Sequence, residues 1–392
     1  MSGLPLAGRR VYFVGIGGAG LSAYAFLSRA WGAEVAGWDR HETPYLRALD
    51  GIDVDLGGKP APRAGWEVVV STAYSAQVEG RSRADFLDEL VSLRRAIVVS
   101  GAHGKTTTTA MIAFALRELG HDPAWLVGGE VAQLGGNAGA GKGWLVVEGD
   151  ESDRTVERLR PEIAVVTNIE LDHHTTFASA AEVRQLFESF LAEAPHAVRG
   201  WELDPASFEL ALPGEHNRRN AATALVALEL AGVPRGEAEA ALARFRGVGR
   251  RFELVGEAGG VTVVDDYAHH PSEIAATIAA ARERQPRRVL VLFQPHLYSR
   301  TRHLAHELGV ALSSADAVCV TDVYAAREDP IAGVSGRLVV AELGPGVRAG
   351  WAPVVEDGAR VLAAWARPGD LALTVGAGDV DRAGQLLLEA LR

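Results

Sequence analysis

Cysteine is almost missing from this 392-residue chain: the only one is Cys319, set in the apolar run Ala317-Val318-Cys319-Val320. A disulfide framework is therefore excluded. A reducing compartment is expected, with Cys319 as a small core residue rather than a nucleophile. Positive charge is also in deficit, with 39 basic residues against 50 acidic ones and a net charge of −11. That balance argues against a nucleic-acid or anionic-membrane partner. No apolar run approaches the roughly 18 residues needed to span a bilayer. The start of the chain has no signal-peptide pattern, so a cytoplasmic location is expected. Lysine is the scarcest charged residue, with three among the 39 basic residues: Lys59, Lys105 and Lys142. Apolar content of 48% and charge of 23% describe a globular protein with ample core, and the length calls for two or three domains.

One of those three lysines falls in Ser100-Gly101-Ala102-His103-Gly104-Lys105-Thr106-Thr107-Thr108-Thr109. The apolar run Ala96 to Val99 leads into a glycine turn, then Lys-Thr, then a helix pattern. This is a strand, a phosphate cradle and a helix N-terminus. Glycine lets backbone N–H groups close around an anion, and the helix dipole favours negative charge there. Lys105 would reach phosphates and the Thr106 hydroxyl a Mg²⁺ ion. The spacing is GxxGKT rather than the full GxxxxGK[ST], and a glycine turn that merely caps a helix is the plain alternative.

The rest of the chain alternates strand and helix patterns, which predicts an α/β fold of parallel sheets covered by helices. At the start, strand 10–14 runs into Gly15-Ile16-Gly17-Gly18-Ala19-Gly20. A helix over about 21–31 follows, and a second strand ends at Asp39. Alone, this reads as a dinucleotide turn with an acid 19 residues after Gly20, or as a tight turn without a ligand. Three later strands each end in polar residues: Ala96–Val99 in the phosphate loop, Trp144–Val147 in Glu148, Asp150, Glu151 and Asp153, and Ile163–Thr167 in Asn168-Ile169-Glu170-Leu171-Asp172-His173-His174. Ligands gather at the carboxyl ends of strands in such sheets, so the three are expected to converge. After a hinge at Gly247–Gly249 a further α/β region begins. Its strand 261–264 ends in Asp265-Asp266-Tyr267-Ala268-His269-His270-Pro271, and another ends in Gln294-Pro295-His296.

Glu148, at a strand end, is a candidate Mg²⁺ ligand, or part of a solvated acidic turn. His173 and His174, like His269 and His270, are substrate-facing or helix-start residues. Arg250-Arg251 suits a phosphate or carboxylate, because Arg favours planar bidentate recognition; a solvated basic hinge is the alternative. Asn217 and Asn220 share a helix face; one can be a cap, while two can read an adenine edge. Asp266 is well placed for a ribose hydroxyl.

Taken in order, Gly101–Thr109, Glu148–Asp153, Asn168–His173, Gly214–Asn220, Arg250–Phe252, Asp265–Pro271 and Phe293–Thr301 resemble the Mur ligases over nearly the whole chain. The resemblance implies a three-domain architecture: a Rossmann-like N-terminal domain for a UDP-sugar (1–96), a P-loop ATPase central domain (97–247) and a Rossmann-like C-terminal domain for the incoming amino acid (248–392). It implies that ATP phosphorylates a carboxylate and that an amine then attacks the acyl phosphate. In the alanine-adding branch these groups are the lactyl carboxylate of UDP-N-acetylmuramate and the amine of L-alanine. The cofactors implied are ATP and Mg²⁺. The protein would act as a monomer or homodimer, without nucleic acid or membrane insertion.

By the same resemblance Gly17, Gly18, Ala19, Gly20, Asp39 and Ser71 would hold the sugar nucleotide. Gly101, His103, Gly104, Lys105, Thr106 and Thr107 would surround the phosphates. Thr106, Glu148 and His173 would bind metal. Asn217 and Asn220 would face adenine, Asp266 the ribose, and Arg251 an anion. His269 or His270, with Arg300, would stand near the substrates.

The later-acting members use a carbamylated lysine beyond the Asn…Asp-His segment, and this chain has no lysine after Lys142. That favours the alanine-adding branch. Three departures from the family pattern stand out. Trp201 to Phe208 nearly close a gap where relatives carry several dozen more residues, so a small antiparallel subdomain is expected to be reduced or missing. The stretch 75–84 is short. Leu297 stands where many relatives have a basic residue. Rival readings are a ligase that adds a preformed tripeptide to the same sugar nucleotide, a nicotinamide-dependent oxidoreductase built on Gly15–Gly20 and Asp39, and a non-catalytic relative.

Overall fold

The computed structural model describes residues 4–172, 176–326 and 328–392. Its strands form three separate sheets. The first combines β1 (Arg10–Val14), β2 (Glu34–Asp39), β3 (Asp53–Leu56), β4 (Glu67–Val70) and β5 (Arg81–Ser82) in the order β3-β2-β1-β4-β5, all parallel. Helices α1 (Ala19–Ala30) and α2 (Arg83–Ser92) accompany it. The chain switches direction across the sheet at β1, so the ends of β2, β1 and β4 lie side by side there. Those ends carry Asp39, Gly15 and Ser71. A doubly wound sheet binds ligands at such a switch point.

The second sheet holds β6 (Ala96–Ser100), β7 (Ala124–Leu126), β8 (Ala138–Ala140), β9 (Leu145–Glu148), β10 (Ile163–Val166) and β11 (His196–Arg199) in the order β11-β10-β6-β9-β7-β8. Only the β7–β8 pair is antiparallel. Its helices are α3 (Lys105–Glu118), α4 (Ala180–Ala192), α5 (Glu215–Leu230) and α6 (Arg235–Leu242). The three strands expected to converge do so: β6 lies between β10 and β9, with Ser100 opposite Val166 and Val99 opposite Glu148. Strands β6 and β10 are wholly buried, as central parallel strands covered on both faces must be. Between β11 and α5 the chain forms one short 3₁₀ turn, Gly200–Glu202, and no strand.

The third sheet consists of β12 (Glu253–Ala258), β13 (Val261–Asp266), β14 (Val289–Phe293), β15 (Ala317–Val320), β16 (Arg348–Trp351) and β17 (Leu371–Val375) in the order β12-β13-β17-β14-β15-β16. All pairs are parallel except β12–β13. Helices α7 (Pro271–Glu283), α8 (Tyr298–Leu312), α9 (Gly336–Ala341), α10 (Val355–Trp365) and α11 (Ala383–Ala390) complete it.

Two compact units result. One is Met1–Ala211 with Arg219–Arg246, and the other is Leu212–Arg218 with Gly247–Arg392. In the first unit a continuous apolar core runs from Phe13, Phe86 and Leu90 to Val98, Leu145 and Phe187, so the first two sheets share their interior. Strands β3, β5, β7, β8, β11, β12 and β16 are absent from the reading of the sequence. They lie at or beside sheet margins, where strands are short and partly solvated. Asp53-Val54-Asp55-Leu56 and Ala138-Gly139-Ala140 carry little apolar signal. Helix α1 begins at Ala19, two residues before the expected Leu21.

Candidate active site

The glycine loop Gly101–Gly104 joins β6 to α3, and its shape is fixed from below by the residues that follow β10. Gly101 has φ +125° and Gly104 φ +79°, a region side chains avoid. A Cβ on Gly101 would clash with Thr167 Oγ1, and one on Gly104 would clash with Asn220 Oδ1. The residues after β10 then clamp the loop. Ala102 N donates to Asn168 O (3.2 Å), and His103 N donates to Asn168 Oδ1 (2.9 Å). Asn168 Nδ2 and Thr167 Oγ1 both donate to His103 O, at 2.9 and 2.6 Å. The His103 ring pairs with Glu170 at 3.3 Å.

Lys105 Nζ donates to Gly101 O at 2.6 Å and lies 2.8 and 3.0 Å from the two oxygens of Glu151. Burial alone lowers the pKa of such an ammonium. The neighbouring carboxylates of Glu151 and Asp150 outweigh burial and hold it above the usual lysine value. Thr106 Oγ1 donates to Glu148 Oε2 at 3.0 Å, and Gly128 N donates to Glu148 Oε1 at 2.5 Å. A hydroxyl and a carboxylate this close are hard oxygen donors of the kind Mg²⁺ takes. Thr107 is buried behind them at the start of α3.

Asp150 and Asp153 also meet a second cation. Arg83, the first residue of α2, reaches Asp150 Oδ2 at 3.2 Å and Asp153 Oδ2 at 3.3 Å. Burial raises the Asp150 pKa, but Lys105 and Arg83 overcome it and hold the carboxyl below its ordinary value. Arg83 also stands against Gly20, where a Cβ would be 3.4 Å from Nη1. Asn137 Nδ2 donates to Ala19 O at 3.1 Å. The glycine turn Gly17–Gly20 is thus braced from the second sheet. Asp39 is engaged in the same turn: Oδ2 accepts from Gly17 N at 2.7 Å and Oδ1 from Arg40 N at 2.7 Å. Ser71 Oγ accepts from Ala73 N at 3.2 Å beside Gly15.

In the other unit, β13, β17 and β14 are neighbours and end in Asp266, Gly376 and the Gln294–His296 segment. Asp266 accepts from Phe252 N and Ala268 N, both at 2.8 Å, and burial pushes its pKa up to about 6. Arg250 is spent on structure: its guanidinium bonds Asp265 Oδ2 (3.0 Å), Gly376 O (2.8 Å) and Gly378 O (3.1 Å). Arg251 differs, lying 3.6 Å from Glu273 with its guanidinium 4.9 Å from the Tyr267 ring centre. Its neighbours Arg250 (φ +59°) and Phe252 (φ +51°) hold strained backbone.

His269 Nδ1 meets Tyr267 O at 3.0 Å, while His270 precedes α7 with Nδ1 2.9 Å from Ser272 Oγ. The rings of His269 and His296 are 5.8 Å apart, His296 stacks on Tyr324, and Arg300 Nη1 is 3.4 Å from His296 Nδ1. His269, His296 and Arg300 therefore form one group, and His270 Nδ1 meets Ser272 on its own helix. Asn217 donates to Pro213 O at 2.7 Å, and Asn220 lies under Gly104; both are buried. His173 and His174 lie outside the described residues. Glu151, Thr167, Asn168, Tyr267 and His296 escaped the reading as site residues. They sit in the segments that drew attention, but nothing in a strand-end cluster says which carboxylate will face the lysine.

A doubly wound α/β protein with a clamped glycine–lysine–threonine loop and an acidic neighbouring strand end is what these parts define. Residues 99–200 match the Mur ligase middle domain, and residues 250–378 match the family described as Mur ligase, glutamate ligase domain. The chain belongs to the Mur ligase family. It is 40% identical to the UDP-N-acetylmuramate–L-alanine ligase of Streptomyces coelicolor, with 99% of each chain covered. That alignment spans 459 positions against the 392 residues present here, so this chain is the shorter of the two. Its structure is similar to that of UDP-N-acetylmuramate–alanine ligase MurC from Thermotoga maritima, with TM-score 0.79, 26% identity and coverage of 97% and 98%. A murein peptide ligase from Psychrobacter arcticus shares the fold at TM-score 0.68, 23% identity and coverage of 98% and 99%.

Proposed function

We propose that this protein joins L-alanine to the lactyl carboxylate of UDP-N-acetylmuramate at the expense of ATP, as a step in building the cell wall from within the cytoplasm. The observation that carries the reading is the Lys105–Thr106 pair on a loop clamped by Thr167 and Asn168, with Glu148 at the adjoining strand end. A carboxylate is a poor electrophile. Its oxygen attacks the γ-phosphorus, ADP leaves, and the resulting acyl phosphate offers phosphate as a leaving group. The amine of alanine attacks the acyl carbon, phosphate departs, and the amine gives up a proton as the amide forms.

Lys105 offsets the charge of the phosphates while carboxylate and phosphate are brought together. Thr106 and Glu148, with His173, are the residues for Mg²⁺, which would supply electrostatic stabilisation of the transferring phosphoryl group. Asn217 and Asn220 are assigned to adenine, Asp266 to the ribose and Arg251 to an anion. His269 and Arg300, or His270 in place of His269, are assigned to the substrates. Gly17–Gly20, Asp39 and Ser71 are assigned to the sugar nucleotide, within a division of labour over residues 1–96, 97–247 and 248–392.

The test is ADP release from ATP and UDP-N-acetylmuramate in the presence of Mg²⁺, with L-alanine or with the L-alanyl tripeptide, and the product mass measured. An L-alanyl product supports the reading. Turnover with the tripeptide alone would move the protein to peptide recycling, and no product with either would leave a binding protein.

A further inference from the structure

We infer that Glu151 is the positioning residue of the phosphate-loop lysine and competes with a bound phosphate for its ammonium. The acidic strand end divides its work among its carboxylates. Glu148 is tied to Thr106 and Gly128, Asp153 and Asp150 pair with Arg83, and Asp150 also lies in the field of Lys105 without bonding it. Glu151 is the one that hydrogen-bonds Lys105, with both oxygens within 3.0 Å of Nζ. An ammonium has three N–H donors. These meet Glu151 and the loop's own carbonyls, Gly101 O at 2.6 Å and Ala102 O at 3.2 Å.

Glu151 is 2% exposed. Water cannot replace the ammonium around this carboxylate as it could around a surface acid, so drawing Lys105 away from it costs more. A phosphate that recruits Lys105 must draw Nζ from Glu151 or share it. Glu151 thereby fixes the direction of the lysine and weakens the hold on nucleotide, a device that favours release of product.

The inference rests on reading Gly101–Thr109 as the nucleotide loop, and the experiment separates the two. ADP affinity is measured by calorimetry in EDTA, so that metal ligation does not enter, for the wild type, Glu151→Gln, Lys105→Ala and the double variant. The expected result is at least fivefold tighter ADP binding by Glu151→Gln, with Lys105→Ala weaker than wild type and less than a twofold effect of Glu151→Gln in the Lys105→Ala background. Damage to the fold would lower affinity, not raise it. Unchanged or weaker binding by Glu151→Gln overturns the inference. So does equal tightening in the Lys105→Ala background, which would mean simple repulsion between carboxylate and phosphate. Should Glu151→Gln fail to fold, Glu151→Asp decides, since it keeps the charge but draws it back by one methylene. At least twofold tighter binding is expected, and no gain overturns the inference. Absence of ADP binding by the wild type removes the nucleotide-loop reading itself.

Discussion

Thr106 Oγ1 donates to Glu148 Oε2 across 3.0 Å, joining the first turn of α3 to the last residue of β9. Strands β6 and β9 are direct neighbours, so the pair is set by sheet register, not by a loose loop. Glu148→Gln keeps an acceptor for Gly128 N but removes the charge. Turnover should fall by about two orders of magnitude, the usual scale for losing one electrostatic contact to a transferring group. The Mg²⁺ concentration for half-maximal rate should rise. Unchanged Mg²⁺ dependence would remove Glu148 from the metal site.

Lys105→Ala is expected to cost about 10²–10³ in turnover. It also takes the ammonium away from buried Glu151, so urea unfolding should show a loss of about 3–5 kcal/mol. The Lys105→Ala/Glu151→Gln double variant should recover most of that stability and none of the activity. Recovery of activity would dismiss Lys105 from the chemistry.

Three glycines at positive φ make a graded series. Gly120 has φ +79° and open space around it. Gly120→Ala should therefore lose only the conformational term, about 1 kcal/mol. Gly104 has the same φ but lies against Asn220 Oδ1, and Gly101 lies against Thr167 Oγ1. Alanine at either should cost about 3 kcal/mol or more in chemical denaturation, because strain and overpacking add. Equal losses at all three positions would contradict the clamp.

Asp266 titrates near 6 in the folded protein against 3.8 for the free side chain, with burial as the main cause. The folded state binds this proton more tightly than the unfolded state. The contribution of Asp266 to stability is therefore greatest below about pH 4 and declines as pH rises to about 6, by roughly 3 kcal/mol in all. The stability deficit of Asp266→Ala should shrink over that interval when measured by denaturation at a series of pH values. A deficit independent of pH would show an ordinary carboxylate.

What the sequence made legible follows from physics that acts locally. Val98 and Val165 belong to central strands whose apolar runs are unmistakable, and glycine before Lys105 announces a helix entry. The convergence of β10, β6 and β9 followed from strand ends alone. The partner of Lys105 did not, since four carboxylates within six residues look alike until the turn is folded. His296 stayed unread because its neighbours, His269 and Tyr324, are brought to it by separate strands. Margin strands such as Arg348–Trp351 stayed unread because pairing with β15, not apolar alternation, makes them strands.

The path of the chain through the two compact units has a practical consequence. The second unit takes Leu212–Arg218 from the middle of the sequence before the first reclaims Arg219–Arg246. No single cut can divide this polypeptide into two self-contained pieces. A protease nick at Gly247 would release a fragment lacking one of its own segments. Separate expression of the halves, or a gene split at that point in evolution, would need seven residues to be carried across.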